Sequence, residues 1–150
     1  MTELVKRPPP LTAGPGYFIR HAHLALGKSL ADALVQQSIS FTHYYYLRTL
    51  FEEDGLTLTE LSSRIPIDPA TATRVLDTME RDGLIRRERN REDRRKVNIF
   101  LTSKAQDLRK PIVRTIERLS KAILTGISAA DYAACRRTLA RMAQNVADID

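Results

Sequence analysis

A chain of 150 residues, 43% hydrophobic and 28% charged, has the length and balance of one globular domain that builds its core without disulfide or metal staples. Its one cysteine, Cys135, excludes an internal disulfide framework, and no apolar run is long enough to span a bilayer. With 24 Lys and Arg against 18 Asp and Glu, the formal charge of +6 points to a polyanionic partner. No basic-then-apolar leader with a small-residue cleavage site opens the sequence, so the cytoplasm is the expected compartment.

Residues 1–15 hold four of the seven prolines and read as a flexible arm, followed by a single domain over 16–150. The first helix is expected over about 16–37. Ile19, His23, Leu26, Leu30 and Leu34 line one face, and Phe18, Ala22 and Ala25 widen it, which predicts burial on more than one side. Ser40 is a good N-cap for a second helix ending near Asp54-Gly55, with Tyr44, Leu47 and Phe51 inward. Thr57-Leu58-Thr59-Glu60 has the form of a capping box for a short third helix with Leu58, Leu61 and Ile65 inward, stopped by Pro66. Asp68-Pro69 then reads as N-cap and first residue of a fourth helix that ends at Gly83.

After Gly83 the apolar period changes to two. Residues 84–89 and 96–101 read as the strands of a hairpin, with Val97, Ile99 and Leu101 on one side and a charged tip between them. Thr102 or Ser103 caps a long fifth helix in which Pro111 predicts a kink. Ser128 opens a sixth helix whose apolar residues Tyr132, Cys135, Leu139, Met142, Val146 and Ile149 recur at 3.5-residue spacing, as in a coiled-coil seam. Cys135 on that stripe reads as a buried structural thiol.

Two short helices joined by a tight turn and followed by a basic hairpin make a winged helix-turn-helix. The expected fold is therefore mainly α, six helices plus a β-hairpin wing. The winged-helix lobe covers about 40–101, flanked by helices at about 16–37 and 103–149, and the seam of the last helix calls for a partner. The fourth helix sets Ala72, Val75, Leu76 and Met79 on one side and Thr71, Arg74, Thr78 and Arg81 on the other. An arginine so placed suits the O6 and N7 edge of guanine in the major groove. From Arg86 to Lys96 seven cations face three acids, and arginine on a slim hairpin suits the narrow minor groove.

These residues resemble the MarR family of regulators. The similarity rests on Ile39 to Leu47, on Thr59-Glu60-Leu61, on Asp82-Gly83-Leu84-Ile85 followed by Asp93-Arg94-Arg95, and on Leu101-Thr102. It covers roughly residues 16–148. The resemblance implies a homodimeric winged-helix transcription factor joined through its terminal helices, often a repressor released by a small aromatic or anionic ligand. It implies that Ala70, Thr71 and Arg74 read bases, that Arg94 is the wing-tip arginine and that Asp93 braces the wing, with Arg91 and Arg95 beside it. Peroxide-sensing members carry a reactive cysteine near the first helix, and this chain has none there.

The expected partners are a double-stranded DNA operator, a second copy of the chain through Tyr132, Leu139, Met142 and Val146, and a small aromatic acid or its thioester. Arg20, His21, His43, Tyr44 and Tyr46 are the candidates for that ligand, because they combine cationic and aromatic groups on two neighbouring helices. The competing reading of the Tyr44-Tyr45-Tyr46 run places Tyr44 in the core and its neighbours partly exposed or at a dimer interface. His21 and His23 point to different helix faces, and no metal, cofactor or catalytic motif is present, so neither a cofactor nor an enzyme is expected. The rival functions are an activator of the same fold and a winged-helix protein- or RNA-interaction module without operator specificity.

Overall fold

The computed structural model describes residues 10–65 and 69–148. Helix α1 spans Pro15–Leu34 and α2 Phe41–Glu52, with single 3-10 turns at Leu11–Ala13 and Val35–Gln37. Strand β1 (Leu56–Thr57) leads directly into α3 (Leu58–Arg64), and α4 covers Pro69–Arg81. Strands β2 (Ile85–Arg89) and β3 (Val97–Leu101) form the hairpin, followed by α5 (Ser103–Ile123) and α6 (Ala129–Ala147). Most of the expected arm, together with Pro66, Asp68 and Ile149, lies outside the described residues. Within the arm's expected range Pro15 is already the first residue of α1.

The helix starts follow their side chains. Ser40 Oγ accepts the His43 amide at 3.1 Å, and Thr102 Oγ1 accepts that of Ala105 at 3.3 Å. At α3 the capping box is complete: Thr57 Oγ1 accepts the Glu60 amide, and Glu60 accepts the Thr57 amide at 2.8 Å. The Thr57 hydroxyl, which donates to Glu60 Oε2 at 2.6 Å, and after it the Thr57 amide hold the Glu60 carboxyl below the usual carboxylate range. Helix α5 continues through Pro111 as one element.

The sheet has three antiparallel strands in the order β1-β3-β2, with Leu56 opposite Ile99 and Ile85 opposite Leu101. Strand β1 is a correction to the hairpin alone. Its two residues are too few to show a period, and Leu56, not Leu58, is the inward leucine, because pairing with β3 turns it to the core. Leu58 is exposed at the start of α3. Gly55 makes this turn possible: its φ is +76°, and a Cβ there would lie 2.5 Å from Phe100 Cε1.

Leu47, Leu50, Leu61, Leu76, Ile99 and Ile112 are buried in one core that joins the helix-turn-helix, the roots of the wing and the first half of α5. Three further expectations are corrected. Helix α1 is not buried on several sides: Leu34 is buried and Leu30 half-buried, whereas Phe18, Ile19 and Leu26 are exposed, because only the end of α1 meets the core. Tyr44 is in the core and Tyr45 exposed, as one reading had it, but Tyr46 is fully buried rather than partly exposed. Cys135 is exposed, since α6 has no buried residue in the single chain.

Candidate nucleic-acid interface

Helix α4 buries Ala72, Leu76 and Met79, and this sets Ala70, Thr71 and Arg74 on its exposed face. Thr78 departs from the expected outer row: it is half-buried, and its hydroxyl donates to the Arg74 carbonyl at 2.9 Å. Lys104 of α5 donates to the Asp82 carbonyl at 2.7 Å, where cations suit a helix C-terminus.

The wing is held at root, middle and tip. At the root Arg87 Nη1 contacts Asp77 Oδ1 at 2.7 Å and Glu80 Oε2 at 2.9 Å, tying β2 to α4. Arg86 lies 4.9 Å from the Phe100 ring centroid, donates to the Leu101 carbonyl and pairs with Glu88. In the middle the Asn90 amide donates to Asn98 Oδ1 at 2.9 Å, and Asn98 donates to the Gly55 carbonyl at 2.6 Å. At the tip Asn90 Oδ1 accepts the amides of Glu92 and Asp93, both at 2.9 Å. Asp93 accepts from the Arg95 amide at 3.1 Å and from Arg95 Nε at 3.2 Å, which holds its carboxyl below the usual range.

The wing cations therefore divide into two groups. Arg86, Arg87 and Arg95 are engaged within the protein. Arg89, Arg91, Arg94 and Lys96, with Arg74 on α4, are exposed and form no ion pair among the described residues. Arg87, Asn90, Asn98 and Lys104 are the residues that sequence reasoning missed. Arg87 had a legible signal: it shares the β2 face of Ile85, which is turned to the core.

The positive charge is not where the wing suggested. Residues 40–101 hold eleven Lys and Arg against eleven Asp and Glu, while residues 102–150 hold nine against five. The lobe is balanced overall, and its unpaired cations are local features.

The ligand candidates fall on two surfaces. Arg20 and His21 are exposed on the outer half of α1, with His21 stacked on Tyr17 at 5.9 Å between centroids. His43, Tyr44 and Tyr46 are buried in α2, so a single chain does not present all five together. His43 lies within the electrostatic reach of Asp82 and Arg81, and burial lowers its pKa. A cleft of about 190 Å³ opens between α2 and α5, with Arg48 and Arg109 around Phe51, Ile112 and Ile116. On α6, Tyr132, Leu139 and Val146 are exposed and Met142 is half-buried. Among the described residues no helix is long and apolar enough to cross a membrane, and no cluster of metal-ligating side chains occurs.

A family model described as MarR family matches residues 39–97. The HTH-type transcriptional regulator TtmR of Methylorubrum extorquens is 38% identical over 85 residues, 57% of this chain and 44% of that protein, so the match spans less than half of that relative. The uncharacterized HTH-type transcriptional regulator YdgJ of Bacillus subtilis is 30% identical over 112 residues, 75% of this chain and 68% of that one. Among solved structures, Bordetella bronchiseptica BpsR, whose DNA binding is regulated by 6-hydroxynicotinic acid, superposes with a TM-score of 0.83 at 20% identity, covering 91% of this chain and 98% of its own. At that identity the likeness establishes the fold.

Proposed function

The chain belongs to the MarR family of transcriptional regulators, and from that premise we propose that it binds a pseudo-palindromic DNA operator as a homodimer and represses until a small aromatic or anionic effector releases it. Its relatives are regulators, not enzymes. The observation that carries the DNA reading is the pairing pattern of the arginines. Arg74 on α4 and Arg89, Arg91 and Arg94 on the wing form no ion pair among the described residues, on two elements that Arg87 joins. In this reading Ala70, Thr71 and Arg74 meet bases in the major groove, and Arg91 and Arg94 meet the minor groove or its phosphates, with Asp93 and Arg95 shaping the tip. An electrically balanced lobe has little diffuse attraction for polyanions, which favours sequence reading over a module whose binding is set by salt alone.

Residues 16–148 act as one unit in this proposal. The exposed seam of Tyr132, Leu139 and Val146, with Met142, joins two copies together with the outer half of α1, and this presents two recognition helices to successive turns of DNA. The effector, an aromatic acid or its thioester, has two candidate seats. Arg20 and His21 need the partner chain to complete a pocket, whereas the α2–α5 cleft with Arg48 and Arg109 is complete in one chain.

The test is a titration of Arg74→Ala and Arg94→Ala against single-base operator variants at several salt concentrations. Arg74→Ala relaxes discrimination at particular base pairs, by about 1–3 kcal/mol for a bidentate guanine contact. Arg94→Ala weakens all operators together and lowers the salt slope by about one phosphate equivalent per subunit. Full affinity and unchanged slopes in both variants would sink the DNA reading.

A further inference from the structure

We propose that Arg87 is a positioning residue for DNA recognition, keeping Arg74 available to a base by holding the acid that would otherwise pair with it; this rests on the operator-binding reading above. The exposed face of α4 carries more than cations. Asp77 is three residues after Arg74, so the two share one face at the spacing of a helical ion pair, and Glu80 follows one turn later. Left alone, Asp77 pairs with Arg74, and both acids repel phosphate. In the folded chain Asp77 and Glu80 pair with Arg87 instead. Arg87 Nη1 takes Asp77 Oδ1 at 2.7 Å and Glu80 Oε2 at 2.9 Å, the Arg87 amide donates to Glu80 Oε1 at 3.2 Å, and Arg74 forms no ion pair among the described residues.

The same contacts set where the wing stands. Arg87 belongs to β2, so its two carboxylate partners join the root of the wing to the middle of α4. At 29% side-chain exposure, it is the least exposed cation in any ion pair of the described residues. Both carboxylates are reached from one guanidinium nitrogen, Nη1, and the Arg87 main chain adds a third bond to Glu80. The other charged groups near the bridge are accounted for: Arg81 reaches Asp82 at 3.6 Å, and Arg86 pairs with Glu88. Arg87 thus spends its charge on α4 and leaves the DNA contacts to Arg74, Arg89, Arg91 and Arg94.

A phosphate contact and a positioning residue leave different signatures. Arg87→Gln is expected to lower operator affinity by about tenfold, the scale of one lost base-pair match, and to relax the base discrimination that Arg74→Ala relaxes, with the salt slope unchanged. Adding Asp77→Asn to Arg87→Gln restores that discrimination, because Arg74 is released. A uniform loss over all operators, with a lower salt slope and no rescue by Asp77→Asn, makes Arg87 a phosphate contact and overturns the proposal. Unchanged binding by Arg87→Gln overturns it as well. Thermal unfolding of Arg87→Gln, Asp77→Asn and the double variant reads the bridge without DNA: the shifts are expected to be non-additive, and additive shifts overturn the proposal. Failure of the unsubstituted protein to discriminate operators defeats the operator reading instead, while the unfolding cycle still reports on the bridge.

Discussion

Gly55 carries two requirements at one position, a left-handed φ of +76° and the close approach of the Phe100 ring. A side chain there forces a strained backbone and displaces the ring that Arg86 covers. Gly55→Ala is therefore expected to cost about 1–3 kcal/mol, read as a lower denaturant midpoint with an unchanged slope. His43 acts through charge. Burial lowers its pKa from 6.5, Arg81 adds to that shift, and Asp82 opposes it. The folded state thus binds this proton more weakly than the unfolded chain. Its contribution is intact above 6.5 and is lost as the pH falls from there toward the lower folded value. Denaturant midpoints measured between neutral and mildly acidic pH are expected to fall less steeply in His43→Gln; an equal slope in the two proteins would refute the assignment.

At the scale of the element, the wing owes its stiffness to side chains that bond main chain and one another. Asn98 is the central link, since it accepts from Asn90 and donates to the Gly55 carbonyl. Asn98→Ala breaks both bonds while leaving every arginine in place. It is expected to cost about 1–3 kcal/mol of stability and to raise hydrogen exchange at the Asn90 and Lys96 amides, which close the tip. Unchanged exchange there would show that the strand ladder alone holds the tip. Helix α4 illustrates the opposite balance. It buries Ala72, Leu76 and Met79 on one side, and its exposed face mixes cations with acids, so what it offers DNA depends on which charges the wing has already engaged.

For the whole molecule, the proposed dimer turns on α6. Its apolar residues recur at the spacing of a seam and find no cover in the single chain, and the outer half of α1 is in the same condition. A dimer at micromolar concentration is the expected state in sedimentation, and Leu139→Asp is expected to split or unfold it; a monomeric parent protein would defeat the proposed architecture. The charge distribution bears on the effector. Most of the basic surplus lies beyond residue 101, and Arg109 is on α5 beside the α2–α5 cleft. If that cleft is the seat, Arg109→Ala weakens the response to an aromatic acid and Arg20→Ala does not, with operator affinity unchanged in both. The reverse pattern assigns the seat to α1 and the partner chain.

Periodicity and local side-chain chemistry by themselves determined six helices, the caps of α2, α3 and α6, two candidates for that of α5, and a charged hairpin, because a helix face repeats over several turns and a capping bond spans only three residues. Ser40, Thr57, Thr102 and Ser128 were legible for that reason, as were the exposed positions of Ala70, Thr71 and Arg74. Tertiary structure decided what depends on distant partners. Strand β1 exists because β3 lies beside it, not because two residues prefer to be extended. Tyr46 went to the core and Tyr45 to solvent because successive helix residues point in different directions and only the packed neighbours choose among them. Which arginines remain available to a polyanion was equally hidden. The sequence counts charges, but an ion pair such as that of Arg87 with Asp77 and Glu80 forms only after a strand folds back beside a helix seven residues or more away along the chain.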